Sequence, residues 1–139
     1  MVCGAAGGLN ITLKTLLDPN EEVIVFSPFF VEYLFYSENH GGKTVVVPTN
    51  EDFSLNFNAL RGAISPKTKA AIINSPNNPT GVVYPRKMLE ELASILREYS
   101  TGNNNPIYLI SDDPYKKIVF DGVETPNILE LYENSIYIT

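Results

Sequence analysis

Polar and ionisable side chains follow two apolar runs of the chain at the point where each run ends. Residues 70–73 are small or β-branched and lead into residues 74–81, where two prolines and a glycine stop the strand and fix a turn. Residues 107–110 form a similar run that leads into the sequence Ser-Asp-Asp-Pro-Tyr at residues 111–115. The first turn offers Asn78, an amide that both donates and accepts hydrogen bonds, and the second offers carboxylates and a phenol. These groups could bind a polar ligand and hold a proton on it.

These two strand ends are expected to form one site. In open α/β sheets, ligands bind at the carboxyl ends of the strands. The alternative is that residues 74–81 form an ordinary surface turn rich in asparagine and proline. The second strand, ending in the same way, favours a site.

The elements that must position these groups alternate along the chain. Predicted strands are followed by predicted helices, which is typical of βαβ units and a mainly parallel sheet. We expect strands at about residues 22–26, 44–48, 70–73, 107–111 and 136–139, with residues 1–3 as the tail of a further strand. We expect helices at about residues 4–17, 31–38, 57–64 and 85–99, and a short helical segment at 128–132. Residues 101–106 are predicted to be a polar, mobile loop.

Composition excludes several classes of protein. The 139 residues suit one domain, and 44% hydrophobic with 19% charged residues is an ordinary globular balance. A net charge of −6 without a lysine or arginine block argues against nucleic acid or an anionic membrane as partner.

One cysteine, Cys3, is compatible with a reducing compartment, and we expect it to be a small buried residue. There is no membrane-spanning run or signal peptide, so the expected location is the cytosol. His40 has no partner at metal-ligand spacing, so no metal is expected.

The glycine-rich segment at residues 4–8 precedes a helical pattern of leucines. A helix that starts in this way presents unpaired N–H groups and the positive end of its dipole, which suits a phosphate. Small residues at a helix start also allow close packing, so the segment alone is a weak indication.

Four segments together resemble the class I/II aminotransferases, which are fold-type I enzymes dependent on pyridoxal 5′-phosphate (PLP). They match the family in order and spacing and lie at residues 4–8, 27–30, 75–81 and 111–115. The resemblance implies a three-layer α/β sandwich around a mainly parallel sheet of about five strands, with the first and last strands of the family missing. It also implies cis peptide bonds at Asn78–Pro79 and Ser27–Pro28.

The resemblance places the cofactor phosphate on the backbone of Gly4, Ala5 and Ala6. Many family members carry a hydroxyl residue where Ala6 stands, so one side-chain contact to the phosphate is expected to be absent. Phe30 matches the aromatic residue that stacks on the pyridine ring, and Phe29 is the alternative.

The resemblance also assigns the polar groups at the two strand ends. Asn78 and Tyr115 match the pair that donates hydrogen bonds to the 3′ oxygen of the cofactor. Asp112 matches the carboxylate that faces the pyridine nitrogen, and an anion in contact raises the pKa of that nitrogen. A protonated ring is the electron sink on which the chemistry depends. Asp113 is the rival, but the matching position usually carries glutamate, so we expect a solvated neighbour or a helix cap.

By the same resemblance, residues 1–139 are expected to be a partial PLP-binding large domain. The Schiff-base lysine of the family is expected just beyond Thr139, and the small C-terminal domain further on. None of the seven lysines falls at the motif position. Without that lysine there is no base for the proton shift, so the chain alone is expected to be inactive and to bind PLP weakly. The full-length enzyme is expected to be a homodimer that acts on an amino acid and a 2-oxo acid.

Other functions stay open on the sequence. C–S lyases, decarboxylases and aminocyclopropane-carboxylate synthases share the fold and these motifs. A non-catalytic PLP-binding regulatory homologue would also carry them. An unrelated nucleotide-binding domain with a phosphate at residues 4–8 is disfavoured, because neither G-x-G-x-x-G nor G-x-x-x-x-G-K-[ST] is present.

Overall fold

Within the described part of the chain, four α-helices and five strands alternate as far as the fourth strand, and 3₁₀ turns precede the fifth. The computed structural model describes residues 2–103 and 105–139. In chain order the α-helices and strands are α1 (Gly4–Leu16), β1 (Glu22–Ser27), α2 (Glu32–Glu38), β2 (Lys43–Pro48), α3 (Phe57–Ala63), β3 (Thr68–Ile73), α4 (Arg86–Asn103), β4 (Tyr108–Asp112) and β5 (Ser135–Ile138). Two 3₁₀ turns lie between the last two strands, at Lys116–Ile118 and Ile128–Glu130.

The five strands form one parallel sheet in the order β2-β1-β3-β4-β5. The chain moves outward from β1 to β2, then returns to β3 on the other side of β1 and continues to β4 and β5. The order therefore reverses between β1 and β3, and a crevice forms at the carboxyl ends of strands around such a switch point. The predicted parallel α/β sheet is confirmed, with each strand within two residues of its expected position.

Two apolar clusters cover the two faces of the sheet. One contains Leu60 of α3 and Leu92 and Leu96 of α4. The other contains Leu9 of α1 and Tyr33 of α2. Helices on both faces give three layers, as expected. Because both faces are covered, the central strands carry consecutive apolar residues rather than an alternating pattern, as at 23–26 of β1 and 70–73 of β3.

Gly8 explains part of the glycine-rich segment by packing. A Cβ atom at Gly8 would lie 2.9 Å from a methyl carbon of Ile138 on β5, a distance that side chains do not tolerate. The small residue lets α1 approach the sheet closely. Close packing therefore explains Gly8. It leaves open the second explanation, a helix start that suits a phosphate, for the residues before Gly8.

Several local expectations were wrong. Val2 and Cys3 are not in a strand, and Met1 lies outside the described residues. Cys3 is exposed rather than buried. Thr101 and Gly102 belong to α4, although the polar sequence suggested a loop. The hydroxyl of Thr101 donates to the Arg97 carbonyl at 3.0 Å, one turn earlier in the same helix. The rest of the expected loop includes Asn104, which lies outside the described residues.

The peptide bonds at Ser27–Pro28 and Asn78–Pro79 are cis, as expected, and the bond at Ser75–Pro76 is cis as well. Within the described residues, no helix is both long and apolar enough to cross a membrane.

Candidate active site

A small cavity of about 80 Å³ lies at the carboxyl edge of the sheet, beside the switch point. Strand β4 contributes Asp112 to its lining, the loop after β3 contributes Asn74 and Asn78, and the loop after β4 contributes Pro114 and Tyr115. Helices α1 and α2 and the turn before α2 supply the remaining wall, through Ala5, Ala6, Leu9, Phe30, Tyr33 and Tyr36. The two strand ends singled out in the sequence therefore meet.

Parallel pairing brings the two strand ends together. Ile73 of β3 pairs with Ser111 of β4, so the chain leaves the two strands at neighbouring points of one edge. Asn78 reaches the following loop directly, since its side-chain Nδ2 donates to the Tyr115 hydroxyl at 3.2 Å. The Tyr115 oxygen accepts this bond, so its own proton remains available to a ligand.

Asp112 is the central ionisable group of the cavity, and only 5% of it is exposed. Its Oδ2 accepts a hydrogen bond of 2.6 Å from the Tyr33 hydroxyl. Its Oδ1 is buried and has no hydrogen-bond partner within the described part of the chain. Burial raises the pKa of the Asp112 carboxyl, and the Tyr33 hydrogen bond offsets part of that rise. A buried carboxylate oxygen without a partner is costly unless a donor or a cation completes it.

Tyr33 was not recognised from the sequence as a site residue. It is 1% exposed, and its pKa is raised, first by burial and then by the negative charge of Asp112. The hydroxyl therefore stays protonated and acts as a permanent donor to Oδ2. The available signal was its position three residues after Phe30, in the turn that leads into α2, where the Tyr33 N–H donates to the Phe30 carbonyl at 3.1 Å. The two rings pack edge to face, with centroids 5.7 Å apart and planes at 83°.

Phe30 rather than Phe29 lines the cavity. Phe29 instead stacks on the Tyr33 ring, with centroids 6.5 Å apart and planes at 16°. This placement is compatible with the expected stacking role of Phe30.

The start of α1 forms one end of the cavity through Ala5 and Ala6, while Gly4 comes just before that lining. Gly4 has φ +67°, and a side chain there would meet no atom within 4 Å. The preceding residue, Cys3, caps the helix with no side-chain hydrogen bond, and no acidic residue lies in the first turn. The first N–H groups of α1 therefore lack protein acceptors from a cap, as an anion site requires.

Asp113 is neither the solvated neighbour nor the helix cap that we expected, since the residue that caps the following 3₁₀ turn is Tyr115. It is 3% exposed, and its Oδ1 accepts a hydrogen bond of 2.9 Å from the Ser111 hydroxyl. Its backbone N–H donates to the Ile138 carbonyl at 2.9 Å, which joins the ends of β4 and β5. It does not line the cavity, so Asp112 alone of the two aspartates faces it.

Tyr36 also lines the cavity, and its hydroxyl donates to the carboxylate of Glu32 one helical turn earlier. Burial and that hydrogen bond raise the pKa of Tyr36 to about 12. Tyr36 is therefore neutral at physiological pH and adds no charge to the site.

A second, larger opening of about 550 Å³ adjoins the cavity and shares Asn78 and Tyr115 with it. Its other walls are mainly apolar, with Pro79, Val83 and Phe120 among them. The Asn78–Tyr115 pair thus separates the cavity beside Asp112 from this groove.

Comparison with known proteins gives the family. Residues 1–138 match the model of aminotransferase class I and II, and the chain belongs to that family. It is 43% identical over 121 residues to aromatic-amino-acid aminotransferase 2 of Thermococcus litoralis, covering 86% of this chain and 30% of that protein. It is 40% identical over 132 residues to the aspartate aminotransferase of Thermotoga maritima, covering 94% of this chain and 33% of that protein.

Solved structures agree with this assignment. An amino transferase from Eubacterium rectale superposes with a TM-score of 0.95 at 38% identity, covering 96% of this chain and 34% of that one. The aspartate aminotransferase of Thermus thermophilus with maleate gives a TM-score of 0.86 at 36% identity, covering 98% of this chain and 35% of that one. The chain thus spans about a third of the length of these relatives. The sheet described above is the corresponding part of the fold-type I large domain.

Proposed function

We propose that residues 1–139 form part of the PLP-binding large domain of an aminotransferase that transfers an amino group between an amino acid and a 2-oxo acid. The observation that carries the proposal is the buried Oδ1 of Asp112, which lacks a partner among the described residues and lines the cavity. The names of the similar proteins support the reaction type.

The residues of the cavity fit a phosphorylated pyridine with a ring hydroxyl. A protonated ring nitrogen is the cationic donor that Oδ1 of Asp112 lacks. Asn78 and the Tyr115 hydroxyl would hold the 3′ oxygen, and Phe30 would cover one face of the ring. The open N–H groups at Gly4, Ala5 and Ala6 would hold the phosphate. When bound, PLP supplies an electron sink for the carbanion that forms at the substrate's α-carbon.

Asp112 would keep the ring nitrogen protonated. In its low-dielectric surroundings, an ionised carboxylate stabilises a neighbouring cation strongly, so the nitrogen would keep its proton at neutral pH. The hydroxyl of Tyr33 donates to Oδ2, which would leave Oδ1 free to accept from the ring nitrogen. Asn78 and Tyr115 favour the ionised form of the 3′ oxygen by donating to it.

The cavity does not contain a basic amine from this stretch of chain. None of the seven lysines lines it, and all seven lie within the described residues. Lys116 instead lies over the Tyr137 ring, 5.4 Å from its centroid. We therefore expect residues 1–139 alone to bind PLP weakly and to give no transaminase turnover.

The partners of the whole protein are part of the same proposal. We propose an amino acid and a 2-oxo acid as substrates, a homodimer as the assembly and the cytoplasm as the location. Residues 1–139 contain a single cysteine, so no disulfide forms within this stretch, which is compatible with a reducing compartment.

Ligand titration tests the proposal. The protein is titrated with PLP, ATP and NAD while ligand binding is followed by calorimetry. We expect saturable binding of PLP, no binding of ATP or NAD, and weaker binding of PLP by Asp112→Asn. Binding of ATP or NAD in preference to PLP would favour a nucleotide-binding domain and contradict the proposal.

A further inference from the structure

Asn74 connects the two halves of the candidate site through both ends of one side-chain amide. It follows β3 and is 3% exposed. Its Nδ2 donates to the main-chain carbonyl of Asp112 at 2.5 Å, and its Oδ1 accepts from the main-chain N–H of Asn78 at 2.6 Å. The contacts thus join the residue that faces the ring nitrogen to the residue that faces the 3′ oxygen.

We propose that Asn74 is the positioning residue that sets the distance and angle between Asp112 and Asn78. The expected effect on PLP affinity rests on the proposed function. The mechanical part, a bridge between two strand ends, depends only on the contacts.

The turn after Asn74 is held internally, so it can be placed as a unit. Oδ1 of Asn77 accepts from both the N–H and the hydroxyl of Thr80, at 3.1 and 2.8 Å. The Gly81 N–H donates to the Asn77 carbonyl at 2.7 Å, and the Asn77 N–H donates to the Val82 carbonyl at 2.9 Å. None of these bonds reaches β4. The Asn74 amide does, and it anchors the turn where Asn78 enters it.

Few side chains could replace Asn74. The bridge needs a donor and an acceptor at the distance of a short amide, and only asparagine provides both at this length. Alanine would leave the buried Asp112 carbonyl and the partly buried Asn78 N–H without their partner, and the buried carbonyl in particular is costly to leave unpaired. Aspartate would keep the acceptor for the Asn78 N–H but lose the donor to the Asp112 carbonyl.

Amide hydrogen exchange and PLP affinity test the role together. We compare the unchanged protein with Asn74→Ala and with a matched control, Asn56→Ala. Asn56 also accepts a main-chain N–H, that of Ala59 at 2.9 Å, but at the start of α3. Asn74→Ala is expected to speed exchange at the Asn78 N–H at least tenfold beyond any change in α4, and to raise the Kd for PLP at least tenfold. Asn56→Ala is expected to change neither quantity at the site.

A second variant keeps the test decisive if Asn74→Ala does not fold. Asn74→Asp retains the acceptor, so the Asn78 N–H is expected to stay protected within threefold of the unchanged protein. Unchanged Asn78 exchange in Asn74→Ala, unchanged PLP affinity despite faster exchange, or equal loss of protection in Asn74→Asp would each overturn the inference. Absence of PLP binding by the unchanged protein would instead overturn the proposed function, while the exchange data would still decide the mechanical role of Asn74.

Discussion

The two ends of β4 each bury a tyrosine hydroxyl, and the two hydroxyls meet different partners. At the amino end, the Tyr132 hydroxyl donates to the Ile107 carbonyl at 2.7 Å. The hydroxyl of Ser100 accepts from the Ile107 N–H at 2.9 Å and donates to the Leu96 carbonyl at 2.7 Å. Main-chain and side-chain groups there satisfy one another within the described residues.

At the carboxyl end of β4, one polar atom has no hydrogen-bond partner within the described residues. The Tyr33 hydroxyl donates to Oδ2 of Asp112, and Oδ1 of the same carboxylate lacks a partner in the described chain. The first arrangement stabilises the fold, while the second leaves a buried carboxyl oxygen without a partner beside a cavity. We propose that this unpaired carboxylate oxygen in a cavity, rather than burial of polar groups as such, marks the end of β4 that would bind the ligand.

The largest predicted effect on PLP affinity comes from replacing the Asp112 carboxylate at the carboxyl end of β4. Asp112→Asn keeps the size of the side chain and an acceptor for Tyr33, but it loses the anion for the ring nitrogen. A hydrogen bond to a charged group contributes about 1.5–3 kcal/mol, so we expect the Kd for PLP to rise roughly 10- to 100-fold in a calorimetric titration. The free energy of unfolding should be unchanged or higher, because an uncompensated buried charge has been removed. Equal affinity for PLP would remove the main support for the site.

The two tyrosines form a matched pair of variants. Tyr132→Phe leaves the Ile107 carbonyl without its hydroxyl donor, so unfolding in urea should cost about 1–3 kcal/mol less free energy, with PLP affinity unchanged. Tyr33→Phe should weaken PLP binding by roughly three- to thirtyfold, since a hydrogen bond to the Asp112 carboxylate is lost. If both variants altered PLP affinity equally, the distinction between the two ends would fail.

A more gradual effect is expected in the dependence of stability on pH. The folded-state pKa of Asp112 lies above its ordinary value of 3.8, so the folded protein binds this proton more tightly than the unfolded chain. The stability from this group is complete below that ordinary value and is lost as pH rises through the folded pKa. Asp112→Asn does not titrate there, so its advantage in unfolding free energy should increase from about pH 4 toward neutral pH. Urea denaturation of both proteins across that range checks the sign, and an advantage that shrinks with rising pH would contradict it.

The smallest predicted effect separates the two neighbouring phenylalanines. Aromatic contacts add about 0.5–1.5 kcal/mol beyond the area that they bury, so Phe30→Leu should weaken PLP binding roughly two- to tenfold. Phe29→Leu is the control, because Phe29 packs on Tyr33 outside the cavity lining. A larger loss of affinity in Phe29→Leu would assign the stacking role to Phe29.

The sheet and the meeting of Asn78, Asp112 and Tyr115 could be predicted because they depend on local patterns. Apolar β-branched runs predict buried strands, and parallel strands bring their carboxyl ends to one edge. The contacts of Tyr33 could not be predicted, since its partner lies 79 residues away and depends on how α2 packs on the sheet. The burial of Asp113 likewise depends on Ser111 and on β5. Long-range packing has no signature in local composition.

The most direct test of the central claim is the protonation of the ring nitrogen in the complex. PLP labelled with ¹⁵N at that position is bound to the protein, and its ¹⁵N resonance is followed as pH is raised. We expect the nitrogen of bound PLP to keep its proton to a higher pH than in free PLP. We expect Asp112→Asn to remove this difference. A nitrogen that titrates as it does in free PLP, or that is unaffected by Asp112→Asn, would contradict the claim that Asp112 holds the proton on the cofactor ring.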